Sequence, residues 1–148
     1  MSLRELVSRA KHKGAGRHGR LLTVKEIRRI RRRGYRAERD LVRKLRNSGF
    51  RAVRIPVSAP SSEPLPDVFA TKSNMLLAFE VKAPNSDRAY FQKEQIKKLF
   101  DFLGMFEAYT RRMAIIGAKF PYRWTFKQIE KIDDYVIQKE EESNITFE

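Results

Sequence analysis

The stretch LPDVFATKSNMLLAFEVKAP, residues 65–84, decides how this chain folds. Residues 67–71 (DVFAT) and 75–83 (MLLAFEVKA) have strand composition, and the polar KSN between them is typical of a tight turn, so the stretch predicts a β-hairpin. Strand alternation places three apolar side chains of the second strand on one face: Leu77, Phe79 and Val81. The opposite face carries Glu80 and Lys82. An acid and a base within an apolar strand require an explanation.

Before the hairpin, the sequence predicts two helices and a strand. Residues 23–34 form a short basic helix that begins at the T-x-x-E capping box and stops at Gly34. Residues 35–48 form a second helix, closed by Gly49, whose apolar stripe consists of Ala37, Leu41, Val42 and Leu45. Glu38 lies on that stripe, and it either reaches water at the stripe's edge or points into a site. A strand follows over residues 50–58.

After the hairpin, residues 84–88 (PNSDR) predict a loop, and residues 92–107 predict an amphipathic helix. Residues 112–120 and 122–127 read as two strands separated by a proline. Residues 134–138 suggest one more strand before a fraying acidic tail. The alternation of helices and strands predicts an α/β fold.

Composition bounds the class of protein. The chain has 148 residues, 41% of them hydrophobic, which fits one globular domain. It has no cysteine, which excludes disulfides and thiolate metal sites and fits a cytoplasmic protein. No apolar run approaches the ~20 residues of a membrane span, so no membrane partner is expected.

The charge is concentrated at the N-terminus. Residues 1–36 hold thirteen Lys or Arg and two Glu, which is +11 of the chain's net +14. We therefore predict a basic N-terminal extension over residues 1–33, an arm followed by the short helix, and a separate domain over residues 34–148. A basic extension favours a polyanionic partner, most often nucleic acid, although such a tail can also serve solubility alone.

The hairpin brings chemistry-bearing groups together. If its two strands pair, Asp67 lies close to Glu80, and two carboxylates at a strand end are suited to Mg²⁺, with Mn²⁺ as a substitute. The carbonyl of Val81 and the carboxylate of Glu38 are further candidate ligands. Lys82 can orient a water or stabilise charge on a phosphate under attack. The alternative is a surface salt bridge between Glu80 and Lys82, but it leaves Asp67 unexplained.

These residues carry a resemblance. Pro66-Asp67 followed by EVK at 80–82 resembles the PD-(D/E)XK nuclease motif, and AERDLVRKLRNSGFRAVRIPVS, LPDVFATK and KEQIKKLFDFL resemble the archaeal Holliday junction resolvases of the Hjc and Hje group over roughly residues 34–138. The resemblance implies a restriction-endonuclease-like mixed central β-sheet flanked by helices. It also implies a homodimeric, Mg²⁺-dependent endonuclease that cuts four-way DNA junctions. Residues 1–33 are an extension that it does not explain.

The resemblance also assigns candidate residues. It implies five catalytic residues: Glu38, Ser58, Asp67, Glu80 and Lys82. It matches Gln95 to a recurrent glutamine at the start of the second helix, which makes Gln95 a candidate DNA contact. Ser58 can hydrogen-bond a phosphate or a metal-bound water, or it is only a turn residue. Candidate phosphate contacts, for which solvation is the alternative, are Arg36, Arg39 and Arg54, with the arginines of the extension: Arg28, Arg29, Arg31, Arg32 and Arg33.

Three other functions compete with the resolvase at this point. Another PD-(D/E)XK nuclease would share the motif and differ in dimer geometry. A non-catalytic basic DNA- or RNA-binding protein would explain the charge but not two carboxylates in a polyanion-binding face. A structural or ribosome-associated protein would explain only the extension. The apolar LFDFLGMF of the second helix favours a dimer interface.

Overall fold

A computed structural model describes residues 20–56 and 62–147. A long helix comes first, α1 (Val24–Asn47), followed by three strands, β1 (Arg51–Arg54), β2 (Val68–Lys72) and β3 (Met75–Lys82). Next come β4 (Arg88–Phe91) and a second helix, α2 (Lys93–Gly104). The described chain ends with β5 (Arg111–Phe120), β6 (Arg123–Ile129) and β7 (Tyr135–Gln138).

Five strands form the central sheet, in the order β1-β2-β3-β5-β6. The pair β3–β5 is parallel and the other three pairs are antiparallel, so the sheet is mixed, as expected. Strands β4 and β7 pair in a separate two-stranded sheet. The predicted hairpin over residues 67–83 is confirmed as β2–β3. Its turn contains Ser73 at a positive φ of 54°.

Helices cover both faces of the sheet and bury both faces of β3. Leu41 and Leu45 of α1 pack with Leu77 and Phe79 in one core cluster. The other cluster joins α2 to the opposite face of the sheet, with Ile96, Leu99, Leu76 and Ala78 among its members. Between these layers β3 has no solvent-exposed residue.

The predicted break at Gly34 is wrong. The capping box is present, with Glu26 N–H donating to the Thr23 hydroxyl at 3.1 Å, but the helix that begins there continues to Asn47. Gly34 takes no positive φ, whereas Gly49 does, at 87°. A glycine inside a helix weakens it by only about 1 kcal/mol, so Gly34 alone cannot end a helix whose neighbours favour it. The boundary between residues 33 and 34 stays a prediction, and α1 crosses it.

Two further predictions need correction. Arg88, predicted to end the loop, begins a strand over residues 88–91 that the sequence did not predict, because β7 returns to pair with it. The acidic tail does not fray: Phe126 N–H donates to the Ser143 hydroxyl at 2.8 Å, and Phe147 is buried among Phe50, Phe79 and Phe126. The strand predicted in residues 134–138 is confirmed. Among the described residues, no helix is both long and apolar enough to cross a membrane.

Candidate active site

Asp67 and Glu80 meet where β2 begins and β3 ends. The antiparallel register pairs Val68 with Phe79, so Asp67 lies across from Glu80 on the neighbouring strand. Asp67 N–H donates to the carbonyl of Phe79 at 2.9 Å, and Val81 N–H donates to Oδ2 of Asp67 at 2.8 Å. These two bonds hold the carboxylate at the strand end. The convergence expected from the hairpin is therefore present.

Glu80 and Lys82 form a buried ion pair, not a surface one. Lys82 Nζ lies 3.2 Å from Oε1 of Glu80, and the two residues are only 8% and 7% exposed. They share the face of β3 that, through Leu76 and Ala78, packs in the cluster containing α2. Charges removed from water cost several kcal/mol each unless they are well paired. A salt bridge that served only stability would gain nothing from being buried.

Asp67 lies in a field that disfavours its charge. Burial raises the pKa of its carboxyl well above the usual range, and the negative charges of Glu80 and Glu38 raise it further. The ammonium of Lys82 and the N–H of Val81 oppose that rise in pKa and do not cancel it. Three carboxylates thus share one region of low dielectric, which a bound cation would stabilise.

Glu38 points into this region. It is 9% exposed, and its Oε2 accepts a hydrogen bond from Arg54 Nε at 2.6 Å. Burial raises the pKa of the Glu38 carboxyl, Arg54 lowers it, and Glu80 raises it. Of the two readings of Glu38 left open by the sequence, the one in which it reaches water is wrong because the residue is buried, and its part in a site stays a prediction. The helix α1 therefore supplies a third carboxylate.

Arg54 is held from two sides. While its Nε binds Glu38, its guanidinium lies over the ring of Tyr35, 4.4 Å from the ring centroid. Arg54 is therefore held by protein groups and is not simply solvated. Sequence reasoning missed Tyr35, and the available signal was its position one helical turn before Glu38 and Arg39. An aromatic ring that stacks on a guanidinium fixes the plane in which its N–H groups point.

The remaining candidates are spread around this centre. Arg39 is exposed on α1, together with four arginines predicted to contact phosphate: Arg28, Arg29, Arg32 and Arg36. Arg31 and Arg33 are half-buried. Gln95, in the first turn of α2, is also half-buried, and its buried Oε1 accepts no hydrogen bond from the described residues. Ser58 lies outside the described residues.

The site offers few acidic side chains for a magnesium ion, but enough to hold one. In residues 20–56 and 62–147, no three His, Cys, Asp or Glu side chains come together as a group that could hold one metal ion. Mg²⁺ does not need such a group, since it is usually held by one or two carboxylates and keeps several waters. Asp67 and Glu80 are two neighbouring carboxylates, one half-buried and one buried, whose repulsion a cation would relieve. The arrangement is suited to hydrolysing a phosphate ester.

Comparisons with known proteins agree with this reading. The family model described as archaeal Holliday junction resolvase (hjc) matches residues 29–148. The crossover junction endodeoxyribonuclease Hje of Sulfolobus acidocaldarius is 44% identical over 104 residues, which cover 70% of this chain and 75% of that protein. Hje of Saccharolobus solfataricus is 42% identical over 104 residues, covering 70% and 77%.

A solved structure is similar in fold as well. The Holliday junction resolvase Hjc of Archaeoglobus fulgidus superposes with a TM-score of 0.60 at 28% sequence identity. The match covers 72% of this chain and 88% of that one. The mixed α/β architecture expected from the sequence is confirmed.

Proposed function

This chain belongs to the archaeal Holliday junction resolvase family, and we propose from that membership and from its site that it is a structure-specific endonuclease that resolves four-way DNA junctions. The observation that carries the proposal is the convergence of half-buried Asp67 with buried Glu80 and Lys82 at the end of β3. A protein that only bound DNA would lose affinity from buried carboxylates in its binding face. A hydrolase needs them to hold a cation against the phosphate.

We propose Mg²⁺ as the cofactor, with Mn²⁺ as a substitute. Asp67 and Glu80 would hold it, with the carbonyl of Val81 as a further candidate ligand. Glu38, whose carboxylate accepts from Arg54, is not grouped with them as a third ligand and would act through its charge. When bound, the ion supplies a Lewis acid for the phosphate and a lowered pKa for water. The support is the raised pKa of Asp67, which is caused by burial and by neighbouring carboxylates, the conditions that a cation reverses.

Lys82 supplies a fixed positive charge next to these carboxylates. Its ammonium is held by Glu80 at 3.2 Å, so it is oriented before substrate arrives. Charge develops on the oxygens of a phosphate during hydrolysis, and a cation preorganised in a low-dielectric site stabilises that charge strongly. Gln95 lies near the start of α2 with an unsatisfied carbonyl oxygen, which suits it to accept a hydrogen bond from a bound water.

A row of arginines on α1 would track the DNA backbone. Arg28, Arg32, Arg36 and Arg39 are spaced by four, four and three residues, so they lie along one exposed face of the helix. At 1.5 Å per residue the row extends about 16 Å towards the turn that holds Glu38. Contacts with phosphate add affinity that does not depend on sequence.

A homodimer would place two sites on opposed strands of one junction. An apolar strip on the α2 side of the sheet supports it: exposed Val53 pairs across the strands with half-buried Phe69, which contacts Phe102 of α2, and Met105 is exposed at the end of that helix. Phe102 and Leu103, expected at the interface, are buried within the subunit. Light scattering after size exclusion would give the oligomeric state.

The direct test uses a four-way junction labelled on one strand and a linear duplex of the same sequence. We expect nicking of the junction in Mg²⁺, none in EDTA, and little cutting of the duplex. A Glu80→Gln variant is the matched control, because it keeps the size of the side chain and removes its charge. Equal cutting of both DNAs would favour another nuclease of the superfamily. No cutting by the wild type would refute the proposal.

A further inference from the structure

The β5–β6 hairpin ends at the same edge of the sheet as the candidate active site. Strands β3 and β5 are parallel, and Lys82 pairs with Ala118. β5 continues for two residues past Ala118 before it turns back at Pro121 and Tyr122. At about 3.3 Å per residue, the hairpin tip projects roughly 7 Å beyond the level of Lys82. A DNA strand bound at Lys82 would pass this tip.

Tyr122 stands at the tip with its ring in solvent. Its exposed fraction is 103%, and its φ is 65°. A bulky residue at positive φ is strained, by about 1 kcal/mol, and glycine would occupy the same turn without that cost. Within the described residues, Ser73, in the β2–β3 turn at the opposite edge of the sheet, is the one other non-glycine residue at positive φ. A tyrosine kept in a strained and fully exposed position indicates that its side chain has a use.

The hairpin beneath Tyr122 is firmly built. Phe120 is buried, and the rings of Trp124 and Phe126 stack at 5.0 Å with an interplanar angle of 10°. A side chain at Gly117 would approach the Phe126 ring to 3.0 Å, so the glycine makes room for this stack. Arg123 donates to the carbonyl of Glu141 at 2.7 Å and ties the hairpin to the tail. The ring of Tyr122 is therefore held by a hairpin that is already folded before any ligand binds.

Positive charge accompanies the aromatic tip. Lys119 Nζ lies 5.7 Å from the centroid of the Trp124 ring, and Arg123, which follows Tyr122 directly, is paired with Glu142 at 3.5 Å. Aromatic rings combined with basic side chains are the usual means of holding unstacked bases beside a phosphate backbone. The tip fits a nucleic acid strand better than it fits an apolar protein surface.

We infer that Tyr122 stacks on a base at the branch point of the junction. This inference rests on the proposed function, and it adds a residue that reads branching. Inside a continuous duplex every base is covered by its neighbours, so an exposed ring finds a base face only where stacking is interrupted. The contact therefore adds affinity for branched DNA and none for linear duplex. From the strength of base–aromatic stacking, the gain is about 5- to 100-fold in affinity.

The test compares Tyr122→Gly, Tyr122→Phe and Ser73→Gly in the full chain. Glycine removes the ring and relieves the strained φ, phenylalanine keeps the ring, and Ser73→Gly makes the same backbone change at the opposite edge. Affinities for junction and duplex are measured in EDTA, so that binding is separated from cutting. Junctions carrying 2-aminopurine beside the branch report stacking directly through fluorescence.

We expect Tyr122→Gly to bind the junction about 5- to 100-fold more weakly, to bind duplex as the wild type does, and to lose part of the protein-induced change in 2-aminopurine fluorescence. Its melting temperature should not fall. Tyr122→Phe and Ser73→Gly should bind both DNAs within about 2-fold of the wild type.

Three outcomes would overturn the inference. Tyr122→Gly could bind the junction as tightly as the wild type. It could instead lose junction and duplex affinity equally, which would indicate a phosphate contact. Tyr122→Phe could fail to restore binding. Failure of the proposed function has a different signature, since the wild-type protein would then show no junction preference and no cutting, and the inference would fall with it.

Discussion

The two edges of the central sheet differ in how their polar side chains are paired. At the edge where β3 begins, polar groups are satisfied: Asn74 Nδ2 donates to the Thr110 hydroxyl at 2.6 Å, and Lys72 Nζ donates to the carbonyl of Ser48 at 3.0 Å. At the edge where β3 ends, Asp67 and Glu80 face each other in a buried region with Glu38 nearby. One edge is arranged for stability, and the other places like charges close together.

This difference indicates which edge of the sheet carries the functional residues. Buried carboxylates that repel one another lower the free energy of unfolding, and substitutions that remove them are easily found. Their presence at one edge is therefore best explained by a ligand that they bind.

The largest expected effect is on cleavage by the carboxylate variants. Asp67→Asn or Glu80→Gln should reduce single-turnover cleavage of a four-way junction by about 1,000-fold or more, roughly 4 kcal/mol of barrier, because each removes a candidate ligand for Mg²⁺. Binding of the junction should be largely kept. Asn74→Ala, at the opposite edge, is the matched control and should cut at the wild-type rate. Full cleavage by either acidic-site variant in Mg²⁺ would show that the carboxylates at this edge are not needed for cleavage.

A smaller but still large effect is expected for Lys82→Ala. Its rate at saturating protein should fall by about 100-fold, because the fixed charge next to the phosphate is lost. The melting temperature should fall too, since Glu80 is left buried without its 3.2 Å partner. The rate is therefore measured well below the variant's melting temperature. A loss of less than about 10-fold would make Lys82 a structural residue only.

The arginines of α1, which lie outside both edges, should contribute affinity for DNA without selectivity for junctions. Replacing Arg28, Arg32 and Arg36 of the α1 row together by Gln should flatten the slope of log affinity against log salt by about 2–3, since each phosphate contact contributes about 0.9. Junction and duplex binding should weaken alike, and cleavage at saturating protein should persist.

The same reasoning applies to the arm. Deleting residues 1–22 keeps the capping box of α1, whereas deleting residues 1–33 would cut that helix in the middle. If the arm touches phosphate, the shorter deletion should also flatten the slope. A selective loss of junction binding by either variant would show that these residues read branching, contrary to the prediction.

The smallest expected effect concerns stability. The pKa of Asp67 is raised in the folded state, so the folded protein binds this proton more tightly than the unfolded chain does. The stability contributed by this group therefore falls as pH rises from the ordinary Asp pKa of about 3.9 towards the raised one. Asp67→Asn should melt a few degrees higher than the wild type near neutral pH, at about 2–4 °C per kcal/mol for a chain of this size, and close to it below pH 3.9. A lower melting temperature at neutral pH in the absence of metal would show that the charge stabilises the fold.

Much of this molecule was readable from local pattern. The alternation over residues 67–83 predicted the β2–β3 hairpin, and with it the meeting of Asp67 and Glu80. Thr23 and Glu26 predicted where the first helix begins. Each of these features depends on residues close in sequence, because a turn, a cap or a strand face is set by neighbours a few positions apart.

The tertiary structure decided the features that depend on distant contacts. Alternation separates the two faces of β3 but does not say what covers them, and only the assembled structure shows that Glu80 and Lys82 are buried. The pairing of Glu38 with Arg54 joins a helix to a strand sixteen residues away, and the burial of Phe147 brings the tail against β3 and β6. Burial, and the electrostatics that follow from it, are properties of the assembled layers. The sequence alone could therefore name the acid and the base, but only the fold could place them away from water, where their charges matter most.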